Sequence, residues 1–360
     1  MHKVFKRIIA VIAALLGLSL LLALSLTAVF IFCNSPPALN PEALADRDGL
    51  APELVEPDRA MIRFEVRRGE SAQSVGQRLA DAGLIRNRYF WNVLSRYEKD
   101  FIKNGTYQIE VPASQIAIHR ILVSGRQILL KITVPEGLTL GKTALLLEEM
   151  GICPKEDFLS AAADPDILAR YRIPGNTMEG YLYPDTYLFA AGYPAARIVR
   201  AMADNFFVRI REIDAGALAK PPEELNRLVI LASIVEREYR LQEEAPLMAG
   251  VFFNRLRIGM ALQSCATVEY IITEIQGKPH PEVLYTRDTE IRDPYNTYIR
   301  PGLPPGPISA PGAVSLSAVM NPASSNFLYF RLVDGATGKH YFSTTLDDHI
   351  RAGLLYTKGN

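Results

Sequence analysis

The sequence predicts an α+β protein with a single N-terminal transmembrane helix, a small α+β domain and a larger, mainly helical domain that ends in a β-hairpin. A long apolar run stands near the amino terminus, alternating strand patterns recur in the first third of the chain, and helical periodicity dominates the remainder. A chain of 360 residues has room for two such domains. The predicted segments are a cytoplasmic tail (1–7), the transmembrane helix (8–33), a linker (34–58), the small domain (59–135) and the larger domain (136–360).

The transmembrane helix is predicted from residues 8–32, which are uncharged, almost wholly apolar and long enough to cross a bilayer. Lys3, Lys6 and Arg7 precede this run. The positive-inside rule therefore places the amino terminus in the cytoplasm and the bulk of the chain outside it, in a single-pass arrangement. We expect the protein in the cell (inner) membrane, with the larger domain on the periplasmic or extracytoplasmic side. A cleaved signal peptide is the alternative, although the run exceeds a typical signal core. Five prolines and several acids in 34–58 indicate a linker beyond the membrane.

The composition excludes several classes of function. A formal net charge of zero gives no bulk attraction to nucleic acid. The cysteines, Cys33, Cys153 and Cys265, lack metal-ligand spacing, and His340 and His349 have no Cys or Glu at such spacing. No phosphate-binding loop, dinucleotide fingerprint or nucleophile elbow occurs. We therefore expect no metal site, no cofactor and no nucleic-acid partner.

The small domain is predicted from its alternating patterns, with strands over 62–66, 106–111 and 128–134 and helices that begin after Ser71 and Asn87. The Arg-Gly-Glu-Ser run at 68–71, followed by Val75 and Leu79 in a strand–helix–helix–strand order, resembles a LysM module. That resemblance implies binding of cell-wall glycan. A small structural domain without a ligand is the alternative.

The larger domain contains an apolar helix pattern over 225–238 that ends in two acids. Leu225, Val229 and Ala232 recur at helical spacing and Glu236 follows on the same side, whereas Glu238 is turned about 200° away by the 3.6-residue period. A carboxyl on an apolar face is costly to ionise, so its pKa should rise, and a carboxyl that keeps its proton near neutral pH is a ready general acid. The alternative is that Glu236 lies at the helix end and reaches water or a structural arginine.

Three further segments have informative patterns. Residues 179–189 alternate aromatic and polar side chains, which can either line a sugar cleft or pack in the core. Residues 302–308 are dense in Gly and Pro, which excludes a helix and predicts a shaped loop of the kind that carries binding surfaces. Asp334-Gly335, between two strand-like runs, predicts the C-terminal hairpin.

Several short motifs occur in order along the larger domain, at 179–187, 231–238, 253–256, 295–298, 302–306 and 310–312. With the apolar segment and the LysM-like unit before them, they resemble the endolytic murein transglycosylase family, the YceG-like proteins. The resemblance covers almost the whole chain. Several motifs in a fixed order are far more specific than any one of them alone.

The resemblance implies a lyase that cleaves peptidoglycan strands between N-acetylmuramic acid and N-acetylglucosamine without water and leaves 1,6-anhydromuramic ends. It further implies that nascent glycan strands are the substrate and that cleavage terminates their elongation near the membrane. Peptidoglycan synthases (penicillin-binding proteins) are the partners it suggests, and it implies no cofactor.

The family's catalytic glutamate falls on Glu236, which is also the acid that the apolar pattern singles out. One neutral carboxyl can protonate the glycosidic oxygen. As a carboxylate, it can then take the proton of the sugar's own 6-hydroxyl while that oxygen closes on the anomeric carbon, an intramolecular attack with a low entropic cost. A water-using glycosidase normally needs a second carboxylate at a defined separation.

The resemblance carries over further site residues as candidate substrate contacts: Gln263, Thr267, Asn296 and Tyr298, with Glu179 and Tyr181 as additional candidates. A structural role is the alternative for each of them. The chain departs from the family pattern after Gln263, where Cys265-Ala266 replace the usual Asp-Pro. If that Asp orients the substrate or Glu236, the replacement lowers activity, and if it only caps a turn, little changes.

Two other functions compete with the transglycosylase. A non-catalytic wall-binding scaffold predicts that Glu236→Gln leaves cellular function intact. A two-carboxylate muramidase, which is a hydrolase, would use Glu238 or Glu179 as the partner of Glu236 and leave reducing ends. The helical period counts against Glu238, because it turns that side chain away.

Overall fold

The computed structural model describes residues 2–38, 53–56, 59–97 and 101–355. Two compact units divide the chain, the first ending at Leu129 and the second beginning at Leu130. Each unit has a hydrophobic core of its own. Both contain helices and strands, so the prediction of a mixed helix and sheet protein is confirmed.

The apolar N-terminal segment forms one long helix, α1 (His2–Asn34). Its stretch Ala10–Asn34 has 25 residues and a mean hydropathy of 2.5, and the side chains of 10–32 are exposed. Within the described ranges, this is the one helix that is long and apolar enough to cross a membrane. The prediction of a single N-terminal helix of this kind is confirmed.

A three-stranded antiparallel sheet forms the framework of the first unit, in the order β1 (Glu53–Glu56), β2 (Arg59–Val66) and β3 (Gly105–Val111). Alternate side chains of β2 and β3 face the core, as period-2 strands require. Buried positions of three helices join the same core. The helices are α2 (Ala72–Asp81), α3 (Arg88–Tyr97) and α4 (Gln115–Ser124).

Part of the linker predicted over 34–58 has regular secondary structure. Helix α1 runs to Asn34, and strand β1 occupies Glu53–Glu56 in antiparallel pairing with β2. Residues 39–52 and 57–58 of this linker lie outside the described residues. A four-residue edge strand is defined by its partner more than by its own composition, so local composition did not reveal it.

The boundary between the units falls earlier than the predicted 135/136. Strand β4 (Leu129–Thr133) was expected in the small domain, but it pairs with β5 (Thr186–Ala190) in the second unit. The Val134 amide extends this pairing with a 2.9 Å hydrogen bond to the Asp185 carbonyl, and Ile132 is buried in the second core. A strand pattern does not reveal the sheet that the strand joins.

The second unit is mainly helical. Its α-helices are α5 (Leu140–Glu149), α6 (Lys155–Ala162), α7 (Pro165–Tyr171), α8 (Ala195–Ile213), α9 (Pro222–Val235), α10 (Ala245–Arg257), α11 (Cys265–Tyr270), α12 (Ala313–Met320) and α13 (Leu346–Ala352). A turn of π-helix (Ile271–Ile275) continues α11. Strands β6 (Tyr329–Leu332) and β7 (His340–Ser343) pair antiparallel.

Helix α9 lies at the centre of this unit and packs against α10 and α12. It begins three residues earlier than the pattern predicted over 225–238, with Pro222 at its first position and two acids, Glu223 and Glu224, in its first turn. Every side chain of 229–235 is buried, so the last two turns are covered on all sides and no single apolar stripe exists there. The helix ends at Val235, and the next residue is Glu236.

Candidate active site

Glu236 stands where α9 ends. It is the C-terminal cap of the helix, and its amide donates a 2.8 Å hydrogen bond to the Ala232 carbonyl. The carboxyl therefore lies at the negative end of the helix dipole, which disfavours its charged form. The predicted alternative placed Glu236 at the helix end, where it would reach water or a structural arginine. Glu236 does lie at the helix end, and it is half-buried there.

The Glu236 side chain reaches the amino terminus of a second helix, α12. Its Oε2 atom accepts two hydrogen bonds, one of 2.9 Å from the Gly312 amide and one of 2.6 Å from the Ser315 hydroxyl. The Tyr239 hydroxyl donates to the other oxygen, Oε1, at 3.2 Å. Two donors thus fix Oε2, while Oε1 has a single, longer contact.

The segment that precedes α12 is held against α9. The Ser233 hydroxyl accepts from the Ile308 amide at 3.0 Å, and the Ser309 hydroxyl donates to the Ser233 carbonyl at 3.0 Å. Ala310 exchanges backbone hydrogen bonds with Gly137 and Leu138, at 2.9 and 2.7 Å. These contacts fix the Pro-rich loop and the start of α12 next to Glu236.

The pKa of the Glu236 carboxyl is raised above its ordinary value, and burial is the largest cause. The hydrogen bonds from Ser315 and Gly312 act in the opposite direction because they stabilise the carboxylate. The charge of the nearby Glu136 carboxylate raises the pKa further. The direction agrees with the sequence prediction, but burial at a helix end causes it rather than an apolar helix face.

Glu136 is an exposed carboxylate beside Glu236 that the sequence analysis did not identify. It follows β4 and Pro135, directly before the Gly137 contact to the α12 segment. A Cβ atom at Gly312 would collide with the Glu136 carboxyl group, so the two residues are in close contact. A glutamate in a turn after a strand belongs to no periodic pattern. The one sequence signal was that Glu136 stands between Pro135 and Gly137.

Two of the predicted substrate contacts, Thr267 and Asn296, are wholly buried, as the structural alternative for them predicts. The Thr267 hydroxyl bonds to the Ser264 carbonyl at 2.8 Å and to the Thr297 hydroxyl at 2.9 Å. The Asn296 amide donates to the carbonyls of Thr289 and Ile291 at 2.9 and 2.8 Å. Their polar atoms connect loops to each other, which is a structural role.

The other two residues from these segments, Gln263 and Tyr298, reach the surface. Gln263 is exposed and has a left-handed backbone conformation (φ 52°). Its backbone amide donates to the Thr297 carbonyl at 3.0 Å. The Tyr298 hydroxyl lies 3.0 Å from Sγ of Cys265. Gln263, Cys265 and Tyr298 thus form one surface cluster.

Glu179 and Tyr181, the two additional candidates for substrate contact, are buried as well. Both carboxylate oxygens of Glu179 accept from the Leu140 amide at the start of α5, at 3.1 and 3.0 Å. Burial raises the pKa of Glu179 to about 8. The Tyr181 hydroxyl donates to Oδ1 of Asn226 at 2.9 Å, so the aromatic segment packs in the core.

Glu238 points to a different neighbour from Glu236. Its Oε1 atom accepts a short hydrogen bond from the Ser264 hydroxyl, next to the Gln263 cluster. Burial raises the pKa of Glu238, and Ser264 opposes that rise. Glu236 thus contacts the start of α12, whereas Glu238, two residues later, contacts Ser264 beside the surface cluster.

The described part of the chain contains no group of three or more His, Cys, Asp or Glu side chains arranged to hold a metal ion. His340 pairs with Glu244 at 2.7 Å, which ties strand β7 to the segment before α10. Glu236 and Glu136 bring two carboxyl groups together: a half-buried acid with fixed donors and a second, exposed carboxylate beside it.

Comparison with known proteins relates the chain to one family. The profile of the YceG-like family matches residues 64–353. The endolytic murein transglycosylase of Bacillus subtilis is 29% identical over 324 residues, which cover 84% of this chain and 87% of that protein. The protein of the same name from Streptococcus pneumoniae R6 is 29% identical over 323 residues, which cover 79% of this chain. The match spans 56% of the length of the pneumococcal protein.

A solved structure agrees with these sequence matches. The crystal structure of a YceG-like protein from Listeria monocytogenes superposes with a TM-score of 0.53 at 31% identity, covering 81% of this chain and 98% of the other. The profile match extends over most of the larger domain and much of the smaller one. The chain belongs to the YceG-like family.

Proposed function

We propose that this protein is an endolytic lytic transglycosylase. It cleaves peptidoglycan strands between N-acetylmuramic acid and N-acetylglucosamine and leaves 1,6-anhydromuramic ends. The names of the relatives from Bacillus subtilis and Streptococcus pneumoniae support this activity. The observation that carries the proposal is the Glu236 carboxyl, which is half-buried, has a raised pKa and is fixed through one oxygen.

The two oxygens of Glu236 have different roles in the proposed reaction. Oε2 accepts from both Gly312 and Ser315, so its lone pairs are engaged. The proton of the neutral acid therefore resides on Oε1, which has one long contact to Tyr239. Oε1 is the atom that protonates the glycosidic oxygen as the bond to the anomeric carbon breaks.

The second half of the reaction returns the proton to the same atom. The sugar's 6-oxygen forms a bond to the anomeric carbon and releases its proton to the Glu236 carboxylate. No water enters, and the enzyme ends in its starting protonation state. The donors Gly312 and Ser315 stabilise the carboxylate between the two steps, where fixed dipoles have the greatest effect on rate.

Glu136 supports a second candidate function. An exposed carboxylate beside a buried acid is the pair that a water-using muramidase requires, with Glu136 as the base in place of Glu238 or Glu179. In the transglycosylase, the Glu136 charge instead keeps Glu236 protonated and offsets positive charge on the sugar ring. The two functions differ in the ends they leave.

We further propose that α1 anchors the protein in the cell (inner) membrane, with its amino terminus in the cytoplasm and the second unit on the periplasmic or extracytoplasmic side. The apolar stretch Ala10–Asn34 and the basic residues before it support this orientation. Nascent glycan strands are then the substrate within reach, and penicillin-binding proteins that make them are the proposed partners. Glycan binding by the LysM-like unit (59–135) is part of the same proposal.

Mass spectrometry of purified peptidoglycan digested by the full chain tests this function. The wild type is expected to release fragments with anhydro ends, and Glu236→Gln, which keeps the shape but cannot donate the proton, is expected to release none. Reducing ends from the wild type would support the muramidase. Equal products from both proteins would remove Glu236 from the reaction.

A further inference from the structure

The first unit exposes an apolar stripe on helix α3. Tyr89, Val93 and Tyr97 have 67%, 53% and 85% of their surface exposed, and Phe101, just beyond the helix, has 87%. Residues four apart lie on one helix face, so Tyr89, Val93 and Tyr97 form a continuous stripe opposite the buried Trp91. An exposed apolar face of this kind commonly marks an interaction surface.

Helix α3 lies beside the last turn of the apolar helix α1. The Phe90 ring packs edge-on against the Phe30 ring, with centroids 5.5 Å apart. On the helical wheel, Phe90 borders Tyr97, so the stripe faces the side on which α1 lies. Phe30 precedes the end of α1 by four residues, or about 6 Å along the helix axis.

Further contacts fix this end of α1 to the first unit. The Gln115 side chain donates to the Cys33 carbonyl at 2.8 Å, and Oδ1 of Asn34 accepts from the Ile116 amide at 3.1 Å. The Arg86 guanidinium lies 5.1 Å from the centre of the Phe32 ring and donates to the Pro36 carbonyl at 3.0 Å. The depth of α1 in a bilayer therefore also sets the depth of α3.

We propose that the α3 stripe lies in the lipid headgroup region of the membrane that α1 crosses, so that the first unit rests on the bilayer surface. The inference depends on the proposed anchoring by α1. Tyrosine and phenylalanine at the end of a membrane helix match the aromatic belt of membrane proteins. An interfacial helix buries its apolar face about 5–10 Å into the headgroup boundary.

The charges around the stripe suit the same partner. Arg86, Arg88 and Arg96 are exposed on or next to α3. Arginine at the edge of an apolar helix face can extend to lipid phosphates while its aliphatic part stays on the apolar side. The stripe and its flanking cations thus have the chemistry of a surface that binds phospholipid headgroups.

Fluorescence quenching in lipid nanodiscs tests the inference with the full chain. The exposed Cys265 is replaced by Ser, and an environment-sensitive dye is attached to Val93→Cys, to Leu22→Cys in α1 as a membrane reference, or to Gln108→Cys on the exposed face of β3. Lipids brominated near the headgroup are expected to quench the dye at 93 at least about threefold more than the dye at 108. Trp91, the one tryptophan of the chain, reports whether the first unit is folded.

The outcomes separate this inference from the anchoring on which it rests. Quenching at 22 by lipids brominated deep in the acyl chains, with aqueous quenching by iodide at 93, would overturn the inference and leave the anchor intact. The absence of this deep quenching at 22, the middle of Ala10–Asn34, would overturn both. A dye at 93 that stays in water and responds to glycan oligosaccharides would instead assign the stripe to glycan binding.

A second variant checks that the stripe causes the contact. Tyr89→Ser, Val93→Ser and Tyr97→Ser together replace exposed side chains, so the fold is expected to persist and Trp91 emission to stay unchanged. A dye at Phe101→Cys is then expected to lose at least about half of its lipid quenching. Unchanged quenching at 101 in this variant would contradict the proposed role of the stripe.

Discussion

The Ser315 hydroxyl donates a 2.6 Å hydrogen bond to Oε2 of Glu236, although the two residues are 79 positions apart in the chain. The bond joins the end of α9 to the first turn of α12. It leaves Oε1 of Glu236 as the oxygen that can carry and transfer a proton.

Ser315→Ala removes a donor to the charged form of Glu236, so the pKa of Glu236 should rise. The alkaline limb of the pH profile of kcat/KM is expected to move to higher pH. The maximal rate should fall by about tenfold or more, because the carboxylate formed during the reaction loses a fixed donor. Ser317→Ala, at an exposed site on the same helix, is the control and should match the wild type.

Glu136→Gln should shift the alkaline limb of the pH profile of kcat/KM in the direction opposite to that of Ser315→Ala. The Glu136 charge raises the pKa of Glu236, so its loss lowers that pKa and moves the alkaline limb to lower pH. Glu223→Gln, an exposed acid in the first turn of α9, is the matched control. Opposite shifts for Ser315→Ala and Glu136→Gln would identify Glu236 as the titrating group. Identical shifts would contradict that assignment.

Glu179 is expected to make the start of α5 less stable as the pH rises. Its folded-state pKa of about 8 exceeds the ordinary 4.5, so the native state binds this proton more tightly than the open state. The stabilisation that this proton gives the native state is fully present below about pH 4.5. It is lost as the pH rises towards 8, at on the order of 1 kcal/mol per pH unit.

Hydrogen–deuterium exchange of residues 140–149 measures this dependence after correction for intrinsic exchange rates. Glu179→Gln cannot ionise and should flatten the pH dependence, whereas Glu149→Gln, an exposed acid on the same helix, should retain it. A slope that survives in Glu179→Gln would show that another group causes it.

Substitutions of Gln263 and of Asn296 should distinguish a loss of substrate binding from a loss of folding stability. Asn296→Ala leaves two carbonyls without their donor and is expected to lower the free energy of unfolding by about 1–3 kcal/mol. Gln263→Ala removes an exposed side chain, so Tm should stay unchanged while KM for glycan strands rises. Thermal unfolding and kinetics of both variants check this, and a higher KM with unchanged Tm for Asn296→Ala would restore its predicted substrate contact.

Local sequence signals were sufficient for several helices. Ser71 and Asn87, after which two helices were predicted, cap α2 and α3, and such caps act within a few residues of the element they define. The partners of Glu236 could not be predicted in this way. Gly312 and Ser315 lie 76 and 79 residues further along, and local patterns do not encode such contacts.

The buried polar residues illustrate a second limit of sequence reasoning. Thr267, Asn296 and Glu179 have side chains suited to bind sugars, but each of them bonds to backbone groups or to other loops. A residue type indicates which hydrogen bonds are possible, and only the fold decides whether the partner is a ligand or a carbonyl. The same limit hid Glu136, whose importance comes from its neighbours.

The central claim is that Glu236 serves as acid and then base for a sugar that attacks itself, and digestion in water enriched in oxygen-18 tests it most directly. If the 6-oxygen of the sugar is the nucleophile, mass spectrometry of the glycan products should show anhydro ends that carry no heavy oxygen. Products with reducing ends that carry one oxygen-18 would mean that water attacks the anomeric carbon, which would contradict the account.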